Sequence, residues 1–361
     1  MKVAVLGGGN GAYACAADLS EKGHEVRFWR RDPAALAALK VAGTITLKDA
    51  NGERPVRISH IFHELKEAVR DAALVVMPDP AFTQLDNARR LAPHLADGQV
   101  VFLPPGSFGS FVMHHAIRES GNRAEFAFAE TGTLPWLTRK HGSGTAAITA
   151  RATRLPTGVF PSRLRKNAFE VLKKAFPSIE PVEDVLSAAL MNAGPIIHPP
   201  LILMNAGPLE HFERWDIHNE GTQPSIRRVT GALDAERIAA RVALGYRAPH
   251  FPLADHYSAD GEEWMYGRRV HQKLTDSKDW RERIVLTEHR YMREDVEYGL
   301  AFLVSVCEWA GVACPVARGL LALGSAVLGR NLREQGRTLE NLHLLHFSIP
   351  DMKKLLQEGA V

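Results

Sequence analysis

Apolar positions in the first hundred residues come in short unbroken runs rather than in helical stripes. Lys2 to Leu6 (KVAVL), Glu25 to Trp29 (EVRFW), Ala73 to Met77 (ALVVM) and Gln99 to Leu103 (QVVFL) are the clearest. Strands covered on both faces read this way. Phe126 to Glu130 is a further short strand, and Ala146 to Ala150 and Leu155 to Phe160 read as paired strands at the sheet edge. After Pro161 the spacing turns helical. Arg163 to Ala175 is a basic amphipathic helix stopped by Phe176-Pro177, and helical patterns fill Val185 to Leu209, Ser225 to Leu244, Trp280 to Trp309 and Val316 to Leu332. The expected fold is α/β: a doubly wound sheet domain over residues 1–181, then an all-helical domain over 182–361.

Composition bounds the function. At 361 residues, 45% hydrophobic and 24% charged, the chain can bury two cores. Its 44 basic and 41 acidic residues nearly balance, so neither nucleic acid nor a membrane surface is expected as partner, and small molecules are. Cys15, Cys307 and Cys314 make an odd count without metal spacing, which suits buried thiols in a reducing, cytoplasmic compartment. The first apolar run, VAVLGGG, is too short for a secretory signal. No run reaches the ~18 uninterrupted apolar residues of a membrane span. The richest stretch, Gly299 to Leu328, is broken by Glu308, Pro315 and Arg318 and reads as buried helices with surface left for a homodimer contact.

The first strand runs into Gly7-Gly8-Gly9-Asn10-Gly11-Ala12, a helix follows to about Lys22, Gly23 closes it, and the second strand begins. Gly7, Gly9 and Ala12 fit G-x-G-x-x-A, the Rossmann dinucleotide turn. The first glycine permits the tight turn, the second lets backbone approach a pyrophosphate, and the small third residue packs helix on strand. Asn10 and Gly11 belong to the same phosphate loop. The second strand ends Trp29-Arg30-Arg31-Asp32, with Arg30 where NAD binders carry an acid. Two guanidiniums, Arg30 and Arg31, suit a 2′-phosphate and favour NADP(H); Asp32 keeps NAD(H) open. The turns after later strands, Pro78-Asp79-Pro80 and Pro104-Pro105-Gly106-Ser107, should face the cofactor through Pro78 and Pro105.

Two polar interruptions stand out in the helical half. In Met191 to Gly207 (MNAGPIIHPPLILMNAG), His198 precedes Pro199 and Pro200, which should bend or restart the helix there. An ionisable imidazole in a buried segment suits proton transfer near neutral pH. In Arg290-Tyr291-Met292-Arg293-Glu294-Asp295-Val296, Asp295 would pair with His198 and fix its tautomer, and Arg290 would clamp a substrate carboxylate. Glu130, at a strand end, is expected to face substrate or to pair with an arginine. Ala248 to Arg269 is rich in His, Pro, Gly, Asp and aromatics. His250, Asp255, His256, Asp260, Glu262 and Glu263 fit no helix-borne metal motif, so no metal is expected; the segment reads as a lid or specificity loop presenting Trp264.

Together these pieces resemble the opine dehydrogenase (octopine/nopaline dehydrogenase) family over nearly the whole chain. The resemblance rests on Gly7 to Ala12, Glu130 to Trp136, and His198-Pro199 flanked by Asn192 and Asn205. It continues through Asn219-Glu220-Gly221, Asp234-Ala235-Glu236-Arg237, Arg290 to Asp295 and Gly336-Arg337-Thr338-Leu339-Glu340. It implies an active site between the two domains and NADH- or NADPH-dependent reductive condensation of a 2-oxo acid with the amino group of an amino acid. In that picture His198 is the acid/base, Asp295 its partner and Arg290 a substrate anchor, with Asn192 in the substrate region. Two other readings use the same fold: an NAD(P)-dependent 2-hydroxy-acid or hydroxy-phosphate dehydrogenase, and an NADP-binding sensor with no turnover. The His198 and Asp295 segments argue against both.

Overall fold

The computed structural model describes residues 1–257, 265–277, 280 and 283–359, with backbone only at 254–255. The strands are β1 (Lys2–Leu6), β2 (Glu25–Trp29), β3 (Thr44–Asp49), β4 (Gly52–Arg57), β5 (His60–Ile61), β6 (Leu74–Val76), β7 (Val100–Leu103), β8 (Ala127–Thr131), β9 (Trp136–His141), β10 (Thr145–Arg151), β11 (Leu155–Phe160) and β12 (Ile179–Pro181). Eight form one sheet in the order β12-β11-β8-β7-β6-β1-β2-β5. All its pairings are parallel except β11 against β8. The unbroken apolar runs are explained by burial on both faces: Val3 and Val5 pack one way, Ala4 and Leu6 the other. The chain leaves β1 for β2 on one side and returns to β6 on the other. A crevice therefore opens beyond the carboxyl ends of β1 and β6, where Gly7 and Pro78 lie.

A second sheet, β4-β3-β10-β9, was not legible in the apolar runs. Its β3–β4 hairpin turns through Ala50-Asn51 into Gly52, which sits at φ +98°. The expected pairing of Ala146–Ala150 with Leu155–Phe160 is wrong. The first belongs to β10, paired with β9 and β3; the second is β11, paired with β8 and β12. The linker between them lacks hairpin-turn residues and spends its N–H groups elsewhere, Ala152 on Pro135 and Thr153 on Met265. This sheet is fixed to helix Asn10–Glu21 through buried Asp18, which accepts from Trp136 Nε1 at 2.9 Å and Arg151 Nε at 2.7 Å. That anchoring sets β9 beside the glycine turn.

The helical half is built on Gly194–Met204, Pro224–Ala243, Ala301–Trp309 and Pro315–Leu328, with a π-helix over Tyr291–Leu300. The expected break at Pro199-Pro200 does not occur. Helix Gly194–Met204 runs through both prolines, and the interruptions fall at Asn192–Ala193 and at Asn205. Both prolines lie in the middle of the helix, where proline's fixed φ fits but two interior N–H groups are lost, and both are buried with the apolar segment that holds them. The helix expected from Trp280 begins only at Arg290–Tyr291, after a turn in which the N–H groups of Glu288 and His289 both donate to Val285. The run Val185–Met204 is long and apolar enough to cross a membrane, but 83% of it is buried in the molecule, as a core segment would be. The halves lock together where Arg337 donates to Ser107 O at 2.7 Å and Gln84 Oε1 at 2.9 Å, and where Phe108 stacks on Phe302 with centroids 5.0 Å apart.

Candidate active site

A cleft of about 280 Å³ lies between the halves. Gly9, Asn10, Gly11, Pro78 and Pro105 enter it from the sheet side, and Asn192, His198, Arg290, Glu294 and Asp295 from the helical side. The helix Asn10–Glu21 starts at its edge with Gly9 as the cap residue, extended and without a side-chain cap, so its first N–H groups are available to an anion. A side chain built on Gly9 would meet nothing within 4 Å, whereas Gly7, at φ +130°, sits against Asp79. Ala12 is fully buried behind the turn. Arg30 folds back over the turn, with Nη1 2.9 Å from the Tyr13 hydroxyl and a buried Nε that has no protein partner. Asp32 is divided: its Oδ1 caps helix Pro33–Ala42, accepting from the N–H of Ala34 at 3.0 Å and of Ala35 at 3.3 Å, while its Oδ2 accepts from Arg30 Nη2 at 3.4 Å. These residues fit a dinucleotide pyrophosphate at the turn. Arg31 does not join them. It turns outward, 66% exposed, with Nη1 3.5 Å from Asp86, so it is corrected to a surface residue.

His198 and Asp295 meet, with Nδ1 2.7 Å from Oδ2. The approach requires Gly194, because a Cβ there would collide with the Asp295 carboxylate. The imidazole also stacks on Tyr291, centroids 3.6 Å apart and planes 11° from parallel, which fixes the ring plane. Tyr291 in turn holds His218 through its hydroxyl, 2.9 Å from Nε2. Burial pushes His198 well below the ordinary imidazole value, and the nearby Arg290, His289 and Arg139 act in the same sense. Burial raises Asp295 to about 7 against the opposing pull of Arg290 and His289. Glu294 is likewise raised to about 7, by burial and then by Asp295, while its Oε1 accepts from the Ala81 N–H at 3.3 Å. When Asp295 is ionised it accepts from Nδ1–H and leaves Nε2 of His198 with the lone pair. Such an imidazole can take and return a proton in a cleft that also presents guanidinium anchors.

The other expected site residues divide. Asn192 lines the cleft, but its amide is used structurally, donating to Ser107 Oγ at 2.7 Å and accepting from the Gly194 N–H at 3.0 Å. Glu130 does not reach the cleft. It is fully buried, accepting from the N–H of Phe108 at 2.7 Å and from the N–H and hydroxyl of Ser110 at 2.9 and 2.6 Å. A carboxylate at a helix amino end is satisfied there, so Glu130 is an internal cap. Trp264, with Asp260, Glu262 and Glu263, lies outside the described residues; His256 lines the cleft. Among the described residues no group of three metal-ligand side chains forms. Sequence reasoning missed Arg139, His218, Tyr266 and Trp280, all in the cleft wall, with the Arg139 guanidinium 3.6 Å over the Trp280 ring. The polar alternation of β9 and the histidine before Asn219-Glu220-Gly221 were the available signals.

A dinucleotide turn, an interdomain cleft and an imidazole–carboxylate pair define an NAD(P)-dependent oxidoreductase with a helical second domain. Comparison with known proteins agrees. Residues 181–328 match the NAD/NADP octopine/nopaline dehydrogenase alpha-helical domain, and residues 2–104 match the NAD-dependent glycerol-3-phosphate dehydrogenase N-terminus. The opine dehydrogenase of Arthrobacter sp. (strain 1C) is 27% identical over 94% of each chain. Among solved structures, octopine dehydrogenase in complex with NADH and agmatine superposes with a TM-score of 0.68 at 19% identity, covering 91% of this chain and 90% of its own. NADP+-bound yersinopine dehydrogenase gives 0.60 at 15%, covering 99% and 98%. The helical half thus matches the octopine/nopaline dehydrogenase domain, and the chain as a whole is similar to opine dehydrogenases.

Proposed function

We propose that this enzyme joins a 2-oxo acid to the amino group of an amino acid with NADPH as the favoured reductant, and runs the reverse oxidation. The observation that carries the reading is the His198–Asp295 pair, 2.7 Å apart in the wall of the interdomain cleft, with Arg290 beside it. In the balanced reaction, amine nitrogen bonds to the oxo carbon and water leaves. One hydride and one proton are then added across the resulting C=N bond. The bound dinucleotide supplies the hydride. His198 takes a proton from the incoming ammonium and delivers one to the departing oxygen, with Asp295 holding its tautomer and offsetting the imidazolium charge. Arg290 anchors a substrate carboxylate. The phosphorylated cofactor is favoured by Arg30 on the turn and by the commitment of Asp32 to a helix cap. The likeness to glycerol-3-phosphate dehydrogenases covers the cofactor half, and the half bearing His198 and Asp295 follows the octopine/nopaline pattern, which disfavours a hydroxy-phosphate substrate.

The test is loss of nicotinamide absorbance with NADPH or NADH, 2-oxo acids and a panel of amino acids. Turnover requiring both substrates supports the reading. Turnover with the oxo acid alone would replace it with a hydroxy-acid dehydrogenase, and tight dinucleotide binding without turnover on any pair would favour a sensor.

A further inference from the structure

The Gly8 peptide is gripped from two sides by cations from different sheets. From the end of β2, the Arg30 guanidinium packs so closely that a Cβ on Gly8 would lie 3.0 Å from its Cζ. From β9 of the second sheet, Lys140 reaches in and its Nζ donates to Gly8 O at 3.3 Å. Between them lies Tyr13, whose hydroxyl accepts from Arg30 and whose ring is 4.8 Å from the Lys140 Nζ. The backbone fixes this placement, since the Lys140 N–H donates to Asn10 Oδ1 at 2.9 Å, tying β9 to the phosphate loop.

Two like charges held together at a partly buried site repel one another. The Lys140 ammonium is pushed down by burial and then by Arg30, and only Asp32 opposes this. Asp32 itself is 54% exposed and already caps a helix. Its Oδ2 also lies 3.4 Å from Arg30 Nη2, so the two cations share one solvent-exposed carboxylate and a net positive charge remains beside the turn. The pyrophosphate belongs over Gly9 at the helix start, whereas Arg30 marks the ribose end of the dinucleotide, off β2.

We propose that Lys140 and Arg30 form a two-sided clamp for the cofactor's 2′-phosphate, and that Lys140 is a specificity-determining residue for the phosphorylated dinucleotide. This rests on the NADP(H) reading above. It assigns to the second sheet a role in cofactor selection, with Tyr13 as the spacer that keeps the cations apart. Arg30 supplies a planar fork and Lys140 a point charge, a division that suits a phosphate approached from two directions.

The experiment is calorimetric titration of wild-type, Lys140→Met and Lys140→Arg proteins with NADP+ and with NAD+, which differ only in the 2′-phosphate. Losing one charge-assisted hydrogen bond to phosphate weakens binding about tenfold to hundredfold. Lys140→Met should weaken NADP+ binding by that factor and NAD+ binding by less than about twofold, and Lys140→Arg should restore most of the loss. The Asn10 contact uses the Lys140 backbone and survives in both variants. An equal loss for the two dinucleotides would overturn the proposal, since Lys140 would then serve the pyrophosphate or the turn. No loss for either would also overturn it. If the wild type itself binds NAD+ at least as tightly as NADP+, the NADP(H) reading fails first, independently of the variants.

Discussion

Two buried carboxylates of this molecule, Glu130 and Asp295, have similar surroundings and opposite uses. Glu130 lies near the end of β8 and Asp295 inside the π-helix Tyr291–Leu300, each a polar position among apolar residues, and each has an arginine nearby. Glu130 is fully buried, with both oxygens committed to the Phe108 and Ser110 groups that begin helix Gly109–Glu119. Asp295 faces a cleft and spends Oδ2 on an imidazole that itself lines that cleft. A buried acid becomes chemical machinery when its partner can change protonation state and reach solvent or substrate. Where its partners are backbone N–H groups, it is architecture.

That contrast can be broken by substitution. Asp295→Asn should lower kcat/KM by about 10²- to 10⁴-fold, because an amide no longer fixes the imidazole tautomer, without lowering the melting temperature. Glu130→Ala should do the reverse. It leaves the N–H groups at a buried helix end unsatisfied and Arg337 without its counter-charge, at a cost of roughly 3–5 kcal/mol in denaturant titrations, with kcat per folded molecule retained. If Glu130→Ala instead raised KM for substrate without loss of stability, the comparison would collapse.

Glu294→Gln sharpens it by pH. Glu294 and Asp295 are both raised to about 7 in the folded protein. A raised carboxyl favours the folded state at low pH, and that contribution is lost as pH climbs from the ordinary carboxyl range through about 7. Removing one of the pair should therefore stabilise the free protein at pH 8 by on the order of 1–3 kcal/mol and leave it unchanged near pH 4, as followed by thermal melts. The smallest effect is expected at Arg31, whose exposed pairing with Asp86 is worth about 0–1 kcal/mol. Arg31→Ala should leave the NADP+ dissociation constant within about twofold.

Much of this was written in the chain. Unbroken apolar runs gave the parallel strands, and Gly7, Gly9 and Ala12 between strand and helix gave the cofactor turn. His198 and Asp295 drew notice because ionisable groups are rare in apolar helical segments. What escaped was non-local. β10 and β11 lie close in sequence but join different sheets, a choice made by contacts to Pro135 and Met265. Glu130 is expected from the sequence to face substrate or to pair with an arginine; Arg337 is indeed within its reach, but only the packing of helix Gly109–Glu119 against it gives the carboxylate its hydrogen-bond partners. Arg31 sits next to Arg30 in sequence, but both lie past the end of β2, where Arg30 folds over the glycine turn and Arg31 reaches Asp86. Lys140 and Arg139 lie on β9, whose polar alternation among shorter apolar runs was the signal passed over.

The most direct test is single-turnover consumption of NADPH by wild-type and His198→Asn enzymes at saturating 2-oxo acid and amino acid, with cofactor affinity measured in parallel. The account predicts unchanged NADPH binding and a condensation–reduction step slowed by about 10²- to 10⁴-fold. A variant that binds NADPH normally and turns over within about twofold of wild type would contradict the assignment of proton transfer to His198.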